Sequence, residues 1–141
     1  MPRGGGQKQK LLVLRALLLE RTDEDHPMSI RAIIEALEAR GIPAERKSIY
    51  DDMEALRQQG LDVQSRKGND PGWFVGERAF QLPELKLLVD AVQSCKFITK
   101  RKSDDLIRKL EGLTSIHQAR QLQRQAPHGP GRREGGDLPV L

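Results

Sequence analysis

The sequence has few of the residues on which several protein classes depend. Its 141 residues include one cysteine, Cys95, which excludes a disulfide framework and a thiolate metal site. The longest apolar run, residues 11–19, is interrupted by Arg15 and is too short to span a bilayer. The first residues have no signal-peptide apolar segment. We therefore expect a soluble, cytoplasmic protein without a membrane partner.

Aromatic side chains are also scarce, at 4% of the chain. A core must therefore consist mainly of Leu, Ile and Val, which suits packed helices. The length allows one compact domain and an appendage. The formal net charge of +4 is compatible with a polyanionic partner, although many unrelated proteins share it.

No pattern in the sequence indicates catalysis or metal binding. The glycines at positions 4–6 precede the first predicted helix instead of following a strand, so they are not a phosphate-binding loop. Residues 23–26 lack the spacing of a known metal cage, and the three histidines are scattered. We therefore predict that the protein is not an enzyme and that it has no cofactor and no metal site.

The first segment with helical periodicity spans about residues 7–21, after a start at residues 1–6 that we expect to be flexible. Its leucines recur at helical spacing and predict a buried stripe. Lys8 and Lys10 are assigned to the polar side of this helix. Residues 22–27 then indicate a solvated loop, because a proline disfavours helix at the residue before it.

The next two predicted helices are separated by a short turn. Ser29 is the expected N-cap of the second helix, and Gly41 supplies the left-handed residue that ends it. The third helix covers about residues 45–59 after a turn at residues 41–44. Two helices joined by a short glycine-containing turn are typical of a helix-turn-helix unit.

The periodicity then changes from helical to alternating. Residues 61–66 predict a strand, residues 67–72 are rich in turn formers, and residues 73–75 predict a second strand. This hairpin, residues 61–76, stands where a wing belongs. We assign residues 7–78 to a winged helix-turn-helix domain.

Trp73 and Phe74 allow two interpretations. They can form a stacking platform for single-stranded nucleic acid, or one of them can close the core beneath the hairpin. Strand alternation favours the second interpretation.

The rest of the chain is helical until its composition changes. We predict a helical connector over residues 80–125, with Pro83 in the first turn of one helix, Ser103 as the N-cap of another, and a third helix at residues 115–125. The basic run at residues 100–102 is expected to be a linker between the first two of these helices. Residues 126–141 are rich in Pro and Gly, and we expect them to be disordered.

The apolar stripes of the connector would expose Leu and Val side chains, so we predict that a second copy covers them in a homodimer. A dimer would also recognise two half-sites of an operator. The residues predicted to pair two copies are Leu85, Leu88, Val89, Val92, Leu106 and Leu110.

Helix-turn-helix proteins read DNA by placing the second helix of the motif in the major groove. Basic side chains in its first turn can reach guanines or phosphates, and an acidic one can accept from cytosine or orient a neighbouring cation. The wing is expected to meet the backbone or the minor groove. The residues predicted to contact DNA are Arg46, Lys47, Ser48, Tyr50, Asp51, Arg57, Arg66 and Lys67.

Two stretches, ERKSIYDDMEAL at residues 45–56 and LPELKLLVDAVQS at residues 82–94, resemble bacterial transcriptional regulators with a WYL (Trp-Tyr-Leu) domain. The resemblance extends over about residues 8–125. It implies a DeoR-like winged helix, a helical connector and an SH3-like barrel that senses a ligand. It also implies that ERKSIY holds the start of the recognition helix, with Glu45 where many relatives have Ser or Thr.

The sensor barrel would follow residue 125, where this sequence has its Pro- and Gly-rich tail instead. We therefore expect no small-molecule effector. Our prediction is a sequence-specific regulator that binds double-stranded DNA. The alternatives are a winged-helix module that docks proteins, a truncated regulator that acts through mixed dimers, and a fragment that folds poorly.

Overall fold

The computed structural model describes residues 3–125, and the side chains of residues 6–123 among them. This part of the chain forms α1 (Arg3–Arg21), α2 (Ile30–Glu38), α3 (Arg46–Gln58), β1 (Val63–Arg66), β2 (Gly72–Val75), α4 (Leu82–Ser94), α5 (Lys100–Glu111) and α6 (Ile116–Gln125). The predicted fold class, mainly helical with a small hairpin in a winged-helix arrangement, is confirmed. The tail predicted to be disordered, residues 126–141, lies outside the described residues.

The chain divides into two compact units, of which the first ends at Arg78 and the second begins at Ala79. The first unit contains α1 to α3 and the β1–β2 hairpin. The second contains α4 to α6. Each unit has a hydrophobic core of its own.

α1 begins at Arg3, four residues before the start predicted for the first helix. Each glycine in a helix costs about 1 kcal/mol relative to alanine, so the glycines at positions 4–6 disfavour an early helix start locally. Extending a helix that has already nucleated is nevertheless far easier than starting one. Tertiary surroundings also contribute, because Gly6 and Gln7 line a shallow pocket with Ile42 and Pro43 of the turn before α3.

The core of the first unit is an aliphatic layer to which α1, α2, α3 and the hairpin all contribute. Each helix buries one stripe of side chains at helical spacing. The buried members are Leu14, Leu17, Leu18, Ile33, Leu37, Ile49, Met53, Leu56, Val63 and Val75. Phe74 is buried and Trp73 is half-buried against this core, which favours the packing role over a single-strand stacking platform.

The sequence signals at the ends of α2 and α3 correspond to the observed helix ends. Ser29 is the N-cap of α2, and its hydroxyl accepts a hydrogen bond of 3.0 Å from the N–H of Ala32. Gly41 follows α2 with a φ of +76°, and Gly60 follows α3 with a φ of +103°. Both angles lie in the left-handed region that favours glycine.

The hairpin is fastened to the segment before α2, which makes that segment more than a solvated loop. The backbones of Met28 and Trp73 exchange two hydrogen bonds, of 2.9 and 2.8 Å. The hydroxyl of Thr22 accepts from the N–H of Val75 at 3.0 Å and donates to the carbonyl of Leu18 at 2.7 Å. Thr22 is fully buried, and so the end of α1 and β2 are joined through one hydroxyl.

Asp23 and Arg78 complete this junction. Asp23 is buried and accepts a hydrogen bond of 2.9 Å from the N–H of Asp25. Arg78 donates to the carbonyl of Thr22 at 2.7 Å. Burial lowers the pKa of Arg78 from its usual value, and the nearby charge of Asp23 opposes that effect.

In the second unit, α4, α5 and α6 surround a small hydrophobic core, whose fully buried apolar side chains among the described residues are those of Leu85, Val89 and Leu122. The first turn of α4 contains Pro83, as predicted, with Gln81 and Glu84 in a capping box. A hydrophobic core of this size gives a folded unit only marginal stability by itself.

The prediction that Ser103 is an N-cap is wrong. α5 begins at Lys100, and its N-cap is Thr99, whose hydroxyl accepts a hydrogen bond of 3.1 Å from the N–H of Lys102. Thr99 and Ser103 are one turn apart, and both residue types favour the N-cap position. The basic run predicted to be a linker is therefore the first turn of α5.

Gly72 allows the hairpin to approach the segment before α2. A Cβ at this position would lie 2.6 Å from the carbonyl oxygen of Met28. Since backbone must move to accept it, we expect Gly72→Ala to lower the free energy of unfolding by about 2 kcal/mol or more. Denaturant titration followed by the fluorescence of Trp73, the single tryptophan, measures this loss.

Gly68→Ala is the matched control. Gly68 also has a positive φ, +89°, but a Cβ there has no neighbour within 4 Å. We expect that variant to lose only about 1 kcal/mol, from the backbone conformation alone. Equal losses for the two variants would contradict the steric explanation.

Candidate nucleic-acid interface

α3 has one side in the core and one side open. Ile49, Met53 and Leu56 are buried, with at most 5% of each residue exposed. Arg46 and Lys47 at the start of the helix are exposed. The helix-turn-helix therefore presents the first turn of its second helix at the surface.

The electrostatics of this first turn are unusual for a helix. Arg46 and Lys47 place two cations there, and the turn contains no acidic residue. Cations near a helix N-terminus are destabilising by roughly 0.3–1 kcal/mol each, because the helix dipole is positive at that end. Glu45 occupies the N-cap position without a capping hydrogen bond from its side chain. An anion at this place would meet the dipole, the backbone N–H groups and both cations.

Ser48 lies at the boundary between this surface and the interior. It is half-buried, and its hydroxyl accepts a hydrogen bond from the ammonium group of Lys10 on α1. Because the oxygen accepts from the lysine, the hydroxyl proton is still available for a phosphate oxygen.

Lys10 is the residue that the sequence analysis placed on the wrong side of its helix. Only 4% of its side chain is exposed, and its ammonium group forms an ion pair with Asp52 in addition to the bond with Ser48. A signal was present in the sequence. Lys10 is four residues before Leu14, so it continues the buried stripe of α1 by one turn.

Tyr50 joins α3 to the hairpin. Its ring centroid is 5.8 Å from that of Trp73 on β2, with a tilt of 42° between the ring planes. Tyr50 is nevertheless 40% exposed, so part of its ring is accessible beside the first turn of α3. Asp51, the next residue, is exposed and adds a negative charge to the same helix.

Arg57 is held by hydrogen bonds within the first unit, although its side chain remains exposed, and its contact with DNA stays a prediction. Its Nε and Nη2 atoms donate to the carbonyl of Val63 at 3.1 and 3.0 Å, and its Nη1 atom donates to Glu54 at 2.7 Å. Arg57 also lies in the last turn of α3, far along the helix from Arg46. Its guanidinium group fastens the end of α3 to β1.

The two wing cations differ in their surroundings. Arg66 donates to the carbonyl of Glu24 at 2.9 Å and to both the carbonyl and the carboxylate of Asp70 at 3.3 Å. It therefore braces the hairpin tip against the loop before α2. Lys67 is exposed at the tip and is the wing residue of the two that is open to a partner.

Two of the six residues predicted to pair two copies are buried within their own unit. Leu85 and Val89 are at most 1% exposed in the core of the second unit, and Leu88 and Leu110 pack partly against that core. Leu85 and Val89 cannot reach a second copy in this packing. The apolar stripe of α4 serves its own small core.

Other apolar side chains of the second unit are open. Val92 and Leu106 are half-buried, whereas among the large hydrophobic residues Phe97 is 93% and Leu87 is 70% exposed. Phe97 and Leu87 were not among the residues predicted to pair two copies. Consecutive leucines on α4 leave the buried face ambiguous until the neighbouring helices are in place.

No family model, no curated protein and no solved structure matches this chain. Among residues 6–123, no group of three or more His, Cys, Asp or Glu side chains is placed to hold a metal ion. None of the helices in residues 3–125 is long and apolar enough to cross a membrane.

The structural role of Arg57 leads to a test. Arg57→Met retains an unbranched side chain but removes both hydrogen bonds to Val63, so we expect the free energy of unfolding to fall by about 1 kcal/mol. The salt dependence of binding to duplex DNA should match the wild type. A stable variant whose plot of log affinity against log salt loses about one unit of slope would place Arg57 in the interface.

Proposed function

We propose that the first unit is a sequence-specific domain for double-stranded DNA, and that the protein is a transcriptional regulator similar to those with a WYL domain. The observation that carries the proposal is the open first turn of α3. Its two exposed cations and its uncapped backbone face outward, while the rest of the helix is held by the core. This arrangement favours insertion of the helix N-terminus into the major groove.

Individual roles follow from the chemistry of the side chains. Lys47 and Arg46 donate to guanine edges or to phosphates, and Tyr50 and Ser48 donate to the backbone beside them. Lys67 contacts the phosphate backbone or the minor groove from the tip of the wing. Arg66 keeps the wing in place and contributes its charge at longer range.

Asp51 favours a base-reading contact over a purely electrostatic one. An exposed carboxylate one turn into α3 repels phosphates, which limits how much of the helix can lie along the DNA backbone. The same carboxylate can accept a hydrogen bond from a cytosine amino group. The first turn of α3 is thus attracted to DNA, and the next turn discriminates between sequences.

Fluorescence anisotropy over a salt series tests this function. The probes are a duplex from the region upstream of the protein's own coding sequence and a scrambled duplex of the same composition. We expect tighter binding to the first, with an affinity that falls steeply as salt rises. No binding to either duplex at low salt would overturn the proposal and favour a protein-docking winged helix.

Lys47→Ala separates base reading from charge. If Lys47 reads a base, the variant should bind the preferred duplex about 1–3 kcal/mol more weakly and lose selectivity. If it contacts a phosphate, the salt slope should fall by about one. Lys96→Ala removes an exposed cation from the second unit and is the control for net charge. Unchanged affinity and slope for Lys47→Ala would remove that residue from the interface.

We further propose that the second unit pairs two copies, so that the dimer reads two half-sites. Its small core and the exposure of Phe97 and Leu87 support this role. The midpoint of a circular dichroism melt should then rise with protein concentration. Phe97→Ser should abolish that dependence, whereas a midpoint independent of concentration in the wild type would contradict pairing.

A further inference from the structure

α3 is held to its unit by a narrow apolar stripe and by two sets of polar contacts near its two ends. We call these contacts, made by Lys10 and by Arg57, the polar ties. The stripe consists of Ile49, Met53 and Leu56. Apolar contacts depend on buried area and have little directional preference, whereas hydrogen bonds weaken steeply when their angles change. The apolar stripe therefore sets which side of α3 faces the core, and the directional polar ties restrict the rotation that remains.

The tie near the C-terminal end is made by Arg57, which binds the carbonyl of Val63 through two nitrogen atoms. It fixes the last turn of α3 against β1, but it is distant from the residues proposed to read bases.

The tie near the N-terminal end comes from Lys10 on α1. Its ammonium group reaches two side chains of α3, Ser48 and Asp52, which are one turn apart. Only 4% of the Lys10 side chain and 17% of the Asp52 side chain are exposed. One buried cation therefore binds side chains from two successive turns of α3.

A buried ion pair is a poor way to stabilise a fold. The desolvation of two charges offsets most of their attraction, so apolar residues of similar size often stabilise a protein equally well. A buried ion pair does require one arrangement of its partners, since each misaligned charge would be left without compensation. Lys10 is thus better suited to fixing an orientation than to adding stability.

The position of the tie connects it to the surface of α3. Lys47 precedes Ser48 and Asp51 precedes Asp52, and consecutive residues of a helix differ by about 100° in direction. A rotation that breaks the contacts of Lys10 therefore turns the first two turns of the exposed face by the same angle.

We propose that Lys10 is a positioning residue that fixes the rotation of α3, and that through this rotation it sets which DNA sequences the protein selects. Lys10 itself touches no DNA in this scheme. The second part of the proposal rests on the proposed function, and the first part does not.

The experiment compares the full chain with Lys10→Met and with the double variant Lys10→Met/Asp52→Leu. The single variant leaves α3 unchanged in sequence but buries an unpaired carboxylate. The double variant leaves no unpaired charge, so it carries the test if the single variant unfolds. Lys10→Arg retains a cation that can hold both partners. Lys8→Met removes an exposed charge two residues away and is the matched control.

The first measurement needs no DNA. Tyr50 is on α3 and lies against Trp73, so a rotation of α3 alters the surroundings of the single tryptophan. We expect a shifted emission maximum for Lys10→Met and for the double variant at a temperature where both are folded. Lys10→Arg and Lys8→Met should keep the wild-type spectrum. A wild-type spectrum in the folded double variant would overturn the claim that Lys10 fixes the rotation.

The second measurement is selectivity. The wild type is used to enrich a motif from a pool of randomised duplexes, and each variant is titrated with that motif and with a scrambled duplex. We expect the ratio of the two affinities to fall by at least about tenfold in the double variant, as for the loss of one base contact. The salt slope on the scrambled duplex should not change, and Lys10→Arg should restore the ratio.

The outcomes separate the two claims. A wild-type protein that enriches a motif, together with a double variant of equal selectivity, overturns the role of Lys10 in selection. A wild-type protein that enriches no motif overturns the proposed function and the selectivity claim with it. In that case the emission of Trp73 still decides whether Lys10 fixes the rotation of α3.

Discussion

The buried stripe of α1 is the constraint on which the first unit depends. Leu14, Leu17 and Leu18 are almost completely removed from water, and α2, α3 and β2 pack around them. Each leucine side chain buried in this way stabilises the fold by about 1.5–3 kcal/mol, an upper estimate because unfolded chains already bury part of this surface. Without α1 the helix-turn-helix would expose the apolar sides of both its helices. The open first turn of α3 exists because the opposite side of that helix is committed to this core.

Polar ties then determine orientations that the apolar layer leaves open. Thr22 joins the end of α1 to β2 through its hydroxyl, Arg57 joins α3 to β1, and Lys10 joins α1 to α3. All three connect residues from different elements, and each satisfies groups that would be costly to bury alone. The hairpin and α3 thus receive their positions partly from these three interactions. The second unit differs, because its small core leaves apolar side chains such as Phe97 exposed.

Local patterns were sufficient for most elements of the structure. The cap at Ser29, the left-handed glycines after α2 and α3, and the change to alternating residues before β1 depend on neighbours within a few positions. Errors occurred where two local signals compete. Thr99 and Ser103 are both good N-caps one turn apart, and α5 uses the earlier of the two. The predicted start of α1 was too late. Glycines disfavour helix locally, but a helix that has already formed can extend through them.

The sequence by itself determined the fold class, the order of the elements and the basic first turn of α3, because helical and strand periodicities are properties of consecutive residues. Only the tertiary structure decided which polar side chains act inside the protein. Lys10 and Lys47 look alike in sequence, yet one is buried and paired with Asp52 and the other is exposed. Lys10 lies 42 positions from Asp52 along the chain. Whether a cation faces water or a buried carboxylate depends on which distant residue the fold brings beside it, and no local pattern contains that information.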